Sequence, residues 1–270
     1  MSDERFSAEQ AERYQAHLAL PDIGHTGQQR LLDTSVLLVG VGGLGCSAAQ
    51  YLTAAGVGKL GLLDDDSVDL SNLQRQILFS VDDLNGKKAR IAAEALSGLN
   101  PDTELVSIVD RLTATNAAGL IKGWDLVIDG SDNFATRYVV NDACVLAGTT
   151  LVTGSIYQFE GQITVVCPPK GPCYRCIFPA SPVEQAPCHA AGVLASLPGV
   201  VGTILATETL KLAIGAESSL VGRLLLVDML GTSFRSVNVT RDFECALCGN
   251  NPSIVIRRLW LCAVTGPTEG

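Results

Sequence analysis

Nine cysteines occur in the 270 residues, and four of them form two C-x-x-C pairs, Cys173 with Cys176 and Cys245 with Cys248. Each pair has the spacing of a zinc knuckle, and four thiolates complete a tetrahedral structural Zn²⁺ site that leaves no open position for catalysis. A pair of redox-active dithiols is the alternative. We expect a structural zinc ion that joins a late crossover loop to the C-terminal part of the chain.

A glycine-rich turn stands between a predicted strand, Val36–Gly40, and a predicted helix. The turn reads Gly40-Val-Gly-Gly-Leu-Gly45, which matches G-x-G-x-x-G in the strand-to-helix context that this motif requires. Glycines allow the backbone to approach a ligand closely, and a helix N-terminus offers N–H groups to phosphate. The sequence therefore predicts a phosphate-binding loop containing Gly40, Gly42, Gly43 and Gly45.

Three acidic residues, Asp64-Asp-Asp66, follow the second predicted strand. A carboxylate at this position can hydrogen-bond a ribose hydroxyl, and Asp64 and Asp66 are the candidates for nucleotide binding. A solvated acidic turn is the alternative. These features alone also fit an NAD- or FAD-dependent dehydrogenase.

Three further polar segments do not fit hydride transfer. Each lies at or near the C-terminal end of a predicted strand, where doubly wound sheets bind ligands. Together they supply two cations for a triphosphate and a carboxylate for Mg²⁺, which nucleotidyl transfer needs because charge builds up on the phosphates. Surface salt bridges are the alternative for single lysines. The candidate residues in these segments are Ser71, Asn72, Arg75, Lys88, Asp132 and Asn133.

With these segments, the chain resembles the MoeB/ThiF/HesA family of E1-like, ubiquitin-activating-type adenylyltransferases, and its MoeB-type members most. The resemblance rests on G-V-G-G-L-G, D-x-D, S-N-L-Q-R-Q, G-K-K-A, S-D-N and the two C-x-x-C pairs, and it extends from Arg13 to Cys248. It implies adenylation, with ATP, of the C-terminal glycine of a small ubiquitin-like sulfur carrier that ends in Gly-Gly. Such carriers serve molybdopterin or thiamine synthesis.

The resemblance also implies roles for individual residues. Gly43 and the glycine loop contact the ATP phosphates, and Asp64 contacts the ribose. The triphosphate is contacted by Asn72, Arg75 and Lys88, and Asp132 holds Mg²⁺. Family members are typically homodimers. We expect a separate sulfurtransferase or cysteine desulfurase as the sulfur donor, because the sequence after the second cysteine pair leaves no room for a rhodanese domain.

Two positions leave the mechanism open. Family members have an arginine, in R-Y-x-R-Q, that reaches the ATP of the neighbouring subunit, but this chain has Ala16 there. Either Arg13 or another cation replaces that arginine, or the enzyme is slower or specialised. Cys188, next to His189, matches a family cysteine that can form a covalent link to the carrier, and an inert thiol is the alternative. The cysteines expected in the core are Cys46, Cys144, Cys167 and Cys262.

Alternating apolar runs and helical segments must position these residues. They predict an α/β fold with βαβ units and a Rossmann-like, doubly wound, mostly parallel sheet whose zinc-tied C-terminal half is partly antiparallel. We expect one domain over residues 1–270, with a helical segment at 1–30, a nucleotide-binding half at 31–155 and a carrier-binding and zinc half at 156–250. The predicted strands are 36–40, 60–63, 104–109, 125–129, 150–153, 161–167, 223–228 and 233–239, and the predicted helices are 43–55, 86–99 and 133–147.

The stretch Ala190–Ala206 carries no charge and is nearly as long as a membrane span. Pro198 and three glycines in it favour a buried or subunit-interface pair of helices.

The net charge of −9, from 19 basic and 28 acidic residues, argues against nucleic acid as a partner. The polar N-terminus has no signal-peptide core. We expect a cytoplasmic protein with neither a nucleic-acid nor a membrane partner.

Two other functions compete with carrier adenylation. The first is ATP-dependent activation of a small molecule, a peptide or a tRNA-linked carboxylate on the same fold, although the acidic charge disfavours tRNA. The second is a scaffold that has lost catalysis, which only Ala16 suggests. ATP binding without pyrophosphate exchange toward any carrier would favour the scaffold.

Overall fold

The computed structural model of the protein describes residues 6–179, 192–218 and 220–254. Within these residues, eight strands form one sheet in the order β3-β2-β1-β4-β5-β6-β7-β8. The pairs from β3 to β5 are parallel and those from β5 to β8 are antiparallel, which confirms the predicted fold class. The strands are β1 Ser35–Val39, β2 Lys59–Leu63, β3 Glu104–Ile108, β4 Leu126–Asp129, β5 Thr150–Tyr157, β6 Glu160–Val166, β7 Arg223–Asp228 and β8 Ser233–Asn238.

The central strands are buried on both faces. In β1, Val36 and Leu38 pack into one hydrophobic cluster, while Leu37 and Val39 pack into a second cluster on the opposite face. This is the period of two that a strand requires, applied to a run in which every side chain is apolar. A continuous apolar run therefore indicates a strand with helices on both sides.

Helices cover both faces of the sheet. The first hydrophobic cluster contains residues of α4, α5 and α9, and the second contains residues of α6 and α7 together with Cys173 and Cys245. The predicted helices within 43–55, 86–99 and 133–147 are confirmed. The helices are α1 Ala8–Arg13, α2 Gln15–Leu18, α3 Gly24–Asp33, α4 Gly43–Ala54, α5 Lys88–Ser97, α6 Ala117–Ile121, α7 Phe134–Ala147, α8 Tyr174–Ile177 and α9 Leu197–Ala213.

Strand β5 is longer than the sequence predicted. A strand was expected over 150–153, the part that pairs in parallel with β4. Antiparallel pairing with β6 continues to Tyr157 opposite Glu160, so β5 extends four residues beyond that part. It is the strand at which the sheet changes from parallel to antiparallel.

The prediction of two helices within Ala190–Ala206 is wrong for the described part of this stretch. One helix, α9, begins at Leu197 and continues beyond the apolar stretch to Ala213, with Pro198 in its first turn. Proline suits that position because its missing N–H would have no partner there. The helix packs on α4 so closely that a Cβ on Gly202 would collide with the carbonyl oxygen of Leu44. Among the described residues, no helix is both long and apolar enough to cross a membrane.

The N-terminal segment is helical, as predicted for residues 1–30, from Ala8 onward. Its anchor is Tyr14, which is 3% exposed. The Tyr14 hydroxyl donates to Asp102 Oδ2 at 2.9 Å and accepts from Asn100 Nδ2 at 2.9 Å. Burial raises the pKa of Tyr14 to about 12, so the hydroxyl stays protonated as a donor. This contact holds α1 and α2 against the turn that follows α5.

Candidate functional site

A cavity of about 650 Å³ lies at the carboxyl ends of the parallel strands, within the usual size range of small-molecule sites. This is the edge where a doubly wound sheet binds ligands, and the cavity spans the change of chain direction between β1 and β4. Residues from five separate predicted segments line it. The predicted nucleotide-binding residues in its wall are Gly40, Gly42, Gly43, Asp64, Asp66, Ser71, Asn72, Arg75, Lys88 and Asp132.

The glycine loop between β1 and α4 has the geometry that its sequence predicts. Gly40 has φ of +89°, a conformation that favours glycine, and a Cβ there would lie 3.1 Å from the backbone of Gly130. Gly42 caps α4, so the first N–H groups of a twelve-residue helix face the cavity end of the loop. Gly45 does not line the cavity. A Cβ on Gly45 would collide with the carbonyl oxygen of Gly40, so this glycine permits the close packing of helix on loop.

Asp64 connects the end of β2 to the glycine loop. Its Oδ2 accepts from the N–H of Val41 at 2.7 Å, and its Oδ1 accepts from the N–H of Asp66 at 2.8 Å. Burial raises the pKa of Asp64 above its usual value, whereas the charge of Lys88 and the two N–H groups oppose the rise. Each oxygen keeps a further lone pair, so the carboxylate can accept from a ribose hydroxyl as well.

Lys88 brings a buried positive charge to the same part of the cavity. Its side chain is only 6% exposed, and Nζ lies 3.1 Å from Oδ2 of Asp66, whose side chain is 59% exposed. The neighbouring Lys87 is exposed and donates from Nζ to the carbonyl oxygen of Asp65 at 2.8 Å. Of the two lysines in G-K-K-A, Lys88 is the one that lines the cavity.

Arg75 supplies the second cation. Its Nη1 donates to the carbonyl oxygen of Ser71 at 3.1 Å, which leaves most of its guanidinium donors available to an anion. Asp69 fixes the turn that carries Ser71 and Asn72, because its Oδ1 accepts from both the N–H and the hydroxyl of Ser71, at 2.8 and 2.5 Å. Two cations, a helix N-terminus and glycine N–H groups around one cavity can bind a polyphosphate.

The segment after β4 divides between the cavity wall and the start of a helix. Asp132 is exposed and lines the cavity, where its carboxylate can hold a divalent cation beside phosphate. Asn133 does not line the cavity and instead caps α7, where its Oδ1 accepts from the N–H of Thr136 at 2.9 Å. The structure also places in the wall polar residues that the sequence did not single out, and three of them are buried: Gln76, Ser131 and Arg137.

The sequence motifs include two of these three residues but not the third. Gln76 belongs to the quoted S-N-L-Q-R-Q segment, and Ser131 to S-D-N. Arg137 is four residues past Asn133 and has the sequence context of an exposed helical arginine. Instead it is 5% exposed, and its side chain lies against Ser131, Phe134 and Tyr174.

The four paired cysteines meet in one cluster, as their spacing predicts. All four Sγ atoms lie within 4.8 Å of one another, and the distances are 3.9 Å for Cys173–Cys176, 3.7 Å for Cys173–Cys245 and 3.3 Å for Cys176–Cys248. Zn–S bonds of about 2.3 Å in a tetrahedron give S–S distances of about 3.8 Å. Burial raises the pKa of Cys173 most, and the neighbouring thiols raise it further. The thiols therefore resist ionisation unless a cation lies among them, because four thiolates so close together repel one another. The residues fit a zinc ion.

The remaining predicted residues lie elsewhere or outside the described chain. Cys46 and Cys144 are buried and Cys167 is half-buried, which fits their predicted place in the core. Burial raises the pKa of Cys46 to about 12, so this thiol beside the glycine loop is not a nucleophile. Cys188, His189 and Cys262 lie outside the described residues.

The positions of Arg13 and Ala16 bear on the missing family arginine. Arg13 donates to the carbonyl oxygen of Leu99 at 3.1 Å and lies 3.5 Å from Glu9. Ala16 is exposed on α2. Neither residue lines the cavity of its own subunit.

Comparison with known proteins assigns the chain to a family. The ThiF family matches residues 14–247, which is most of the chain. The chain belongs to the ThiF family. This agrees with the resemblance that the motifs carry, and the matched range includes the cavity and three of the four clustered cysteines, Cys173, Cys176 and Cys245.

Three similar proteins show how the ThiF chain relates to named members. A sulfur carrier protein adenylyltransferase of Thermus thermophilus is 46% identical, over 92% of this chain and 94% of its own. A SAMP-activating enzyme E1 of Haloferax volcanii is also 46% identical, over 90% of each chain. The adenylyltransferase and sulfurtransferase MOCS3 of Mus musculus is 49% identical, and the match covers 90% of this chain but 53% of that protein.

Solved structures support the ThiF fold. Escherichia coli MccB in complex with MccA-N7isoASN superposes with a TM-score of 0.80 and 20% identity, over 92% of this chain and 77% of that one. PaaA superposes with a TM-score of 0.75 and 18% identity, over 88% of this chain and 86% of that one. At these identities the likeness concerns the fold alone.

Proposed function

We propose that this protein is an adenylyltransferase that activates the C-terminal glycine of a small ubiquitin-like sulfur carrier ending in Gly-Gly. One observation carries the proposal. A single cavity combines a helix N-terminus, two cations and a carboxylate with the ribose-binding position at the end of β2. The names of the relatives support the same activity, because two of them that match along nearly their whole length are a sulfur carrier adenylyltransferase and a SAMP-activating enzyme.

The residues of the cavity divide the work of the reaction. Asp64 binds the ribose, with Asp66 beside it, while Ser71, Asn72, Arg75 and Lys88 bind the triphosphate together with the glycine loop. Asp132, with Asn133 next to it, holds Mg²⁺, which neutralises phosphate charge when it is bound. A carboxylate oxygen of the carrier attacks the α-phosphorus and pyrophosphate leaves. Positioning and charge neutralisation carry this step without a protein nucleophile.

The other partners follow from this activity. A separate sulfurtransferase or cysteine desulfurase supplies the sulfur that displaces AMP from the activated carrier. Cys173, Cys176, Cys245 and Cys248 hold a structural zinc ion that, within the carrier-binding half, residues 156–250, joins the loop after β6 to the C-terminal part of the chain. The enzyme works as a homodimer in the cytoplasm. A covalent role for Cys188 stays a prediction.

Pyrophosphate exchange tests the proposed function. A purified ubiquitin-fold carrier that ends in Gly-Gly should stimulate exchange of labelled pyrophosphate into ATP, and Asp132→Ala should abolish this exchange because the Mg²⁺ ligand is lost. The fold should survive, since Asp132 is exposed. Asp82→Ala is the matched control, because Asp82 is also exposed but lies away from the cavity wall. Exchange by Asp132→Ala within a few-fold of wild type would remove the metal role.

A further inference from the structure

A second group of buried polar atoms lies in the cavity wall, beside the strands β4 and β5. Arg137 and Ser131 line the cavity and are 5% and 7% exposed. Within the described part of the chain, three side-chain atoms of the wall have no hydrogen-bond partner, Arg137 Nε, Ser131 Oγ and Gln76 Oε1. A buried polar group without a partner is costly, and Arg137 Nε and Ser131 Oγ are the two that can donate, so they point to a ligand with an acceptor that contacts both.

Arg137 is held in position on three sides. Its Nη2 donates to the carbonyl oxygen of Ser131 at 3.1 Å. The guanidinium carbon lies 5.2 Å from the centre of the Phe134 ring, and the Tyr174 hydroxyl lies near enough for the Arg137 charge to act on it. A planar guanidinium fixed in this way presents its remaining donors in set directions, which suits recognition of a carboxylate.

A buried carboxylate near Arg137 offsets part of its charge without using its donors. Asp129 is fully buried, and its oxygens accept from the N–H of Ser131 and from the hydroxyl of Thr153, each at 3.0 Å. Burial raises the pKa of Asp129, and the charge of Arg137 opposes the rise. Among the described ion pairs there is none between Asp129 and Arg137. The guanidinium can therefore still accept an anion.

The position of this group along the sheet edge separates it from the ribose end of the cavity. Asp64 ends β2, the glycine loop follows β1, and Ser131 follows β4, so two strand spacings of about 5 Å each lie between Asp64 and Ser131. Ile156 of β5 and Val193 line the cavity next to the antiparallel half. A substrate group that enters from that side meets Arg137 and Ser131 before it meets Lys88.

We propose that Arg137 and Ser131 bind the carboxylate that is to be adenylated. The Nε–H of Arg137 and the hydroxyl of Ser131 hold one carboxylate oxygen. The other oxygen forms a bond to the α-phosphorus of ATP, while the bond from that phosphorus to the oxygen bridging to the β-phosphate breaks and its electron pair leaves with pyrophosphate. No proton has to move, because the carboxylate attacks as an anion. The inference rests on the proposed function and adds the site of its second substrate.

A binding experiment without turnover tests this inference. A ubiquitin-fold carrier ending in Gly-Gly is prepared once as the free acid and once as the C-terminal carboxamide, and each is titrated into enzyme saturated with an ATP analogue that has a methylene group between the α- and β-phosphates. Wild type should bind the free acid tighter by on the order of tenfold to a hundredfold, as a hydrogen bond to a charged group predicts. Arg137→Gln should lose most of this preference and keep its affinity for the ATP analogue.

Two further variants complete the test. Ser131→Ala changes neither charge nor backbone and should lose part of the preference, which keeps the inference testable if Arg137→Gln does not fold. Arg90→Gln, on the exposed side of α5, should keep the full preference. An unchanged preference in both Arg137→Gln and Ser131→Ala would overturn the inference and leave the proposed function standing. Wild-type enzyme that neither prefers the free acid nor catalyses carrier-dependent exchange would overturn both.

Discussion

At the scale of single residues, the burial of Lys88 separates it from its neighbour in the sequence. A lysine that is almost fully buried is stable only when a counter-charge is close, and here the counter-charge is Asp66, whose side chain faces solvent. Solvent screens Asp66, so the Lys88 ammonium keeps a net attraction for a second anion. The phosphates of ATP fit that need, whereas Lys87 has no such role because it is exposed.

Lys88→Met should therefore reduce carrier-dependent exchange by about 10²–10³-fold, the usual loss when one fixed group that stabilises transition-state charge is removed. Lys87→Met is the matched control and should stay within a few-fold of wild type. The measurement is pyrophosphate exchange at saturating ATP, with circular dichroism to confirm the fold. Equal losses in the two variants would contradict a specific role for Lys88.

The same variant should move the pH dependence of ATP binding. Burial raises the pKa of Asp64 and Lys88 opposes this rise, so loss of the lysine charge raises the pKa of Asp64 further. A protonated Asp64 accepts hydrogen bonds more weakly, so ATP affinity falls as pH drops through this pKa. The fall should occur at a higher pH in Lys88→Met than in wild type. Titration of the ATP dissociation constant between pH 4 and 8 measures the displacement.

At the scale of elements, the junction of β1 and α4 fixes the geometry of the phosphate loop. Gly45→Ala would place a Cβ against the carbonyl oxygen of Gly40, so the helix must move away from the loop. We expect a loss of about 1–3 kcal/mol in the free energy of unfolding, as for other overpacked sites, together with weaker ATP binding.

A glycine in open space serves as the control for this junction. Gly119, within α6, has no atom within 4 Å of the position of a Cβ. Gly119→Ala should be neutral or stabilising by up to about 1 kcal/mol, because alanine favours a helix more than glycine does. Urea unfolding and ATP titration of both variants measure the two effects. ATP affinity equal to wild type in Gly45→Ala would contradict the close packing.

The elements also show which parts of this structure can be predicted from sequence. The parallel strands β1, β2 and β4 and the helices α4, α5 and α7 follow directly from apolar runs and turn residues, because a doubly covered strand leaves a continuous apolar run in the sequence. The extension of β5 to Tyr157 depends on pairing with β6, and α9 begins where Pro198 and tertiary packing put it. The extension of β5 has no local signal, and the signal for α9 is Pro198, which in the sequence favours a break between two helices.

The residues of the site also divide into those that a local sequence pattern predicts and those that depend on tertiary contacts. Motifs identified the loop, Asp64, Lys88 and Asp132, since their chemistry is tied to a local pattern. The importance of Arg137 was not predictable, because its surroundings include Tyr174, which is 37 positions away in the chain, and the buried charge of Asp129. Contacts with residues from distant segments cannot be predicted from the pattern of residues along α7.

At the scale of the whole molecule, the cysteine cluster closes a long loop. Cys173 and Cys245 are 72 residues apart, and the chain between them contains α9, β7 and β8. Both cysteines also belong to the hydrophobic cluster that contains α7. A metal ion bound there links the antiparallel half of the sheet to the face that carries Arg137.

Loss of the metal should therefore destabilise the C-terminal half. We expect purified protein to contain about one zinc ion per chain. Cys245→Ser or a chelator should remove the metal and lower the temperature of unfolding, because metal binding contributes to folding. Zinc should also dissociate as pH falls, since the ligands must be thiolates. Cys167→Ser, outside the cluster, should keep its zinc. Wild-type protein without zinc would contradict the prediction.

The final prediction concerns a second copy of the chain. The N-terminal segment is anchored through Tyr14, and Arg13 is engaged with Leu99 and Glu9, so Arg13 does not supply a cation to the cavity of its own subunit. Ala16 is exposed on the same segment, at the position where the family resemblance implies an arginine. In the homodimer that we propose, this segment lies near the ATP of the partner subunit. The missing cation then limits the rate of adenylation.

Ala16→Arg should consequently raise the first-order rate of adenylate formation, with little change in the apparent affinity for the carrier, because the guanidinium acts on charge that develops in the transition state. Arg13→Ala should leave this rate nearly unchanged. Ala54→Arg adds the same charge at the far end of α4 from the cavity and is the control. Single-turnover measurements with enzyme in excess give the rate directly.

A flat rate in Ala16→Arg combined with a severe loss in Arg13→Ala would assign the role to Arg13. A flat rate in both variants would mean that the N-terminal segment takes no part in phosphate neutralisation.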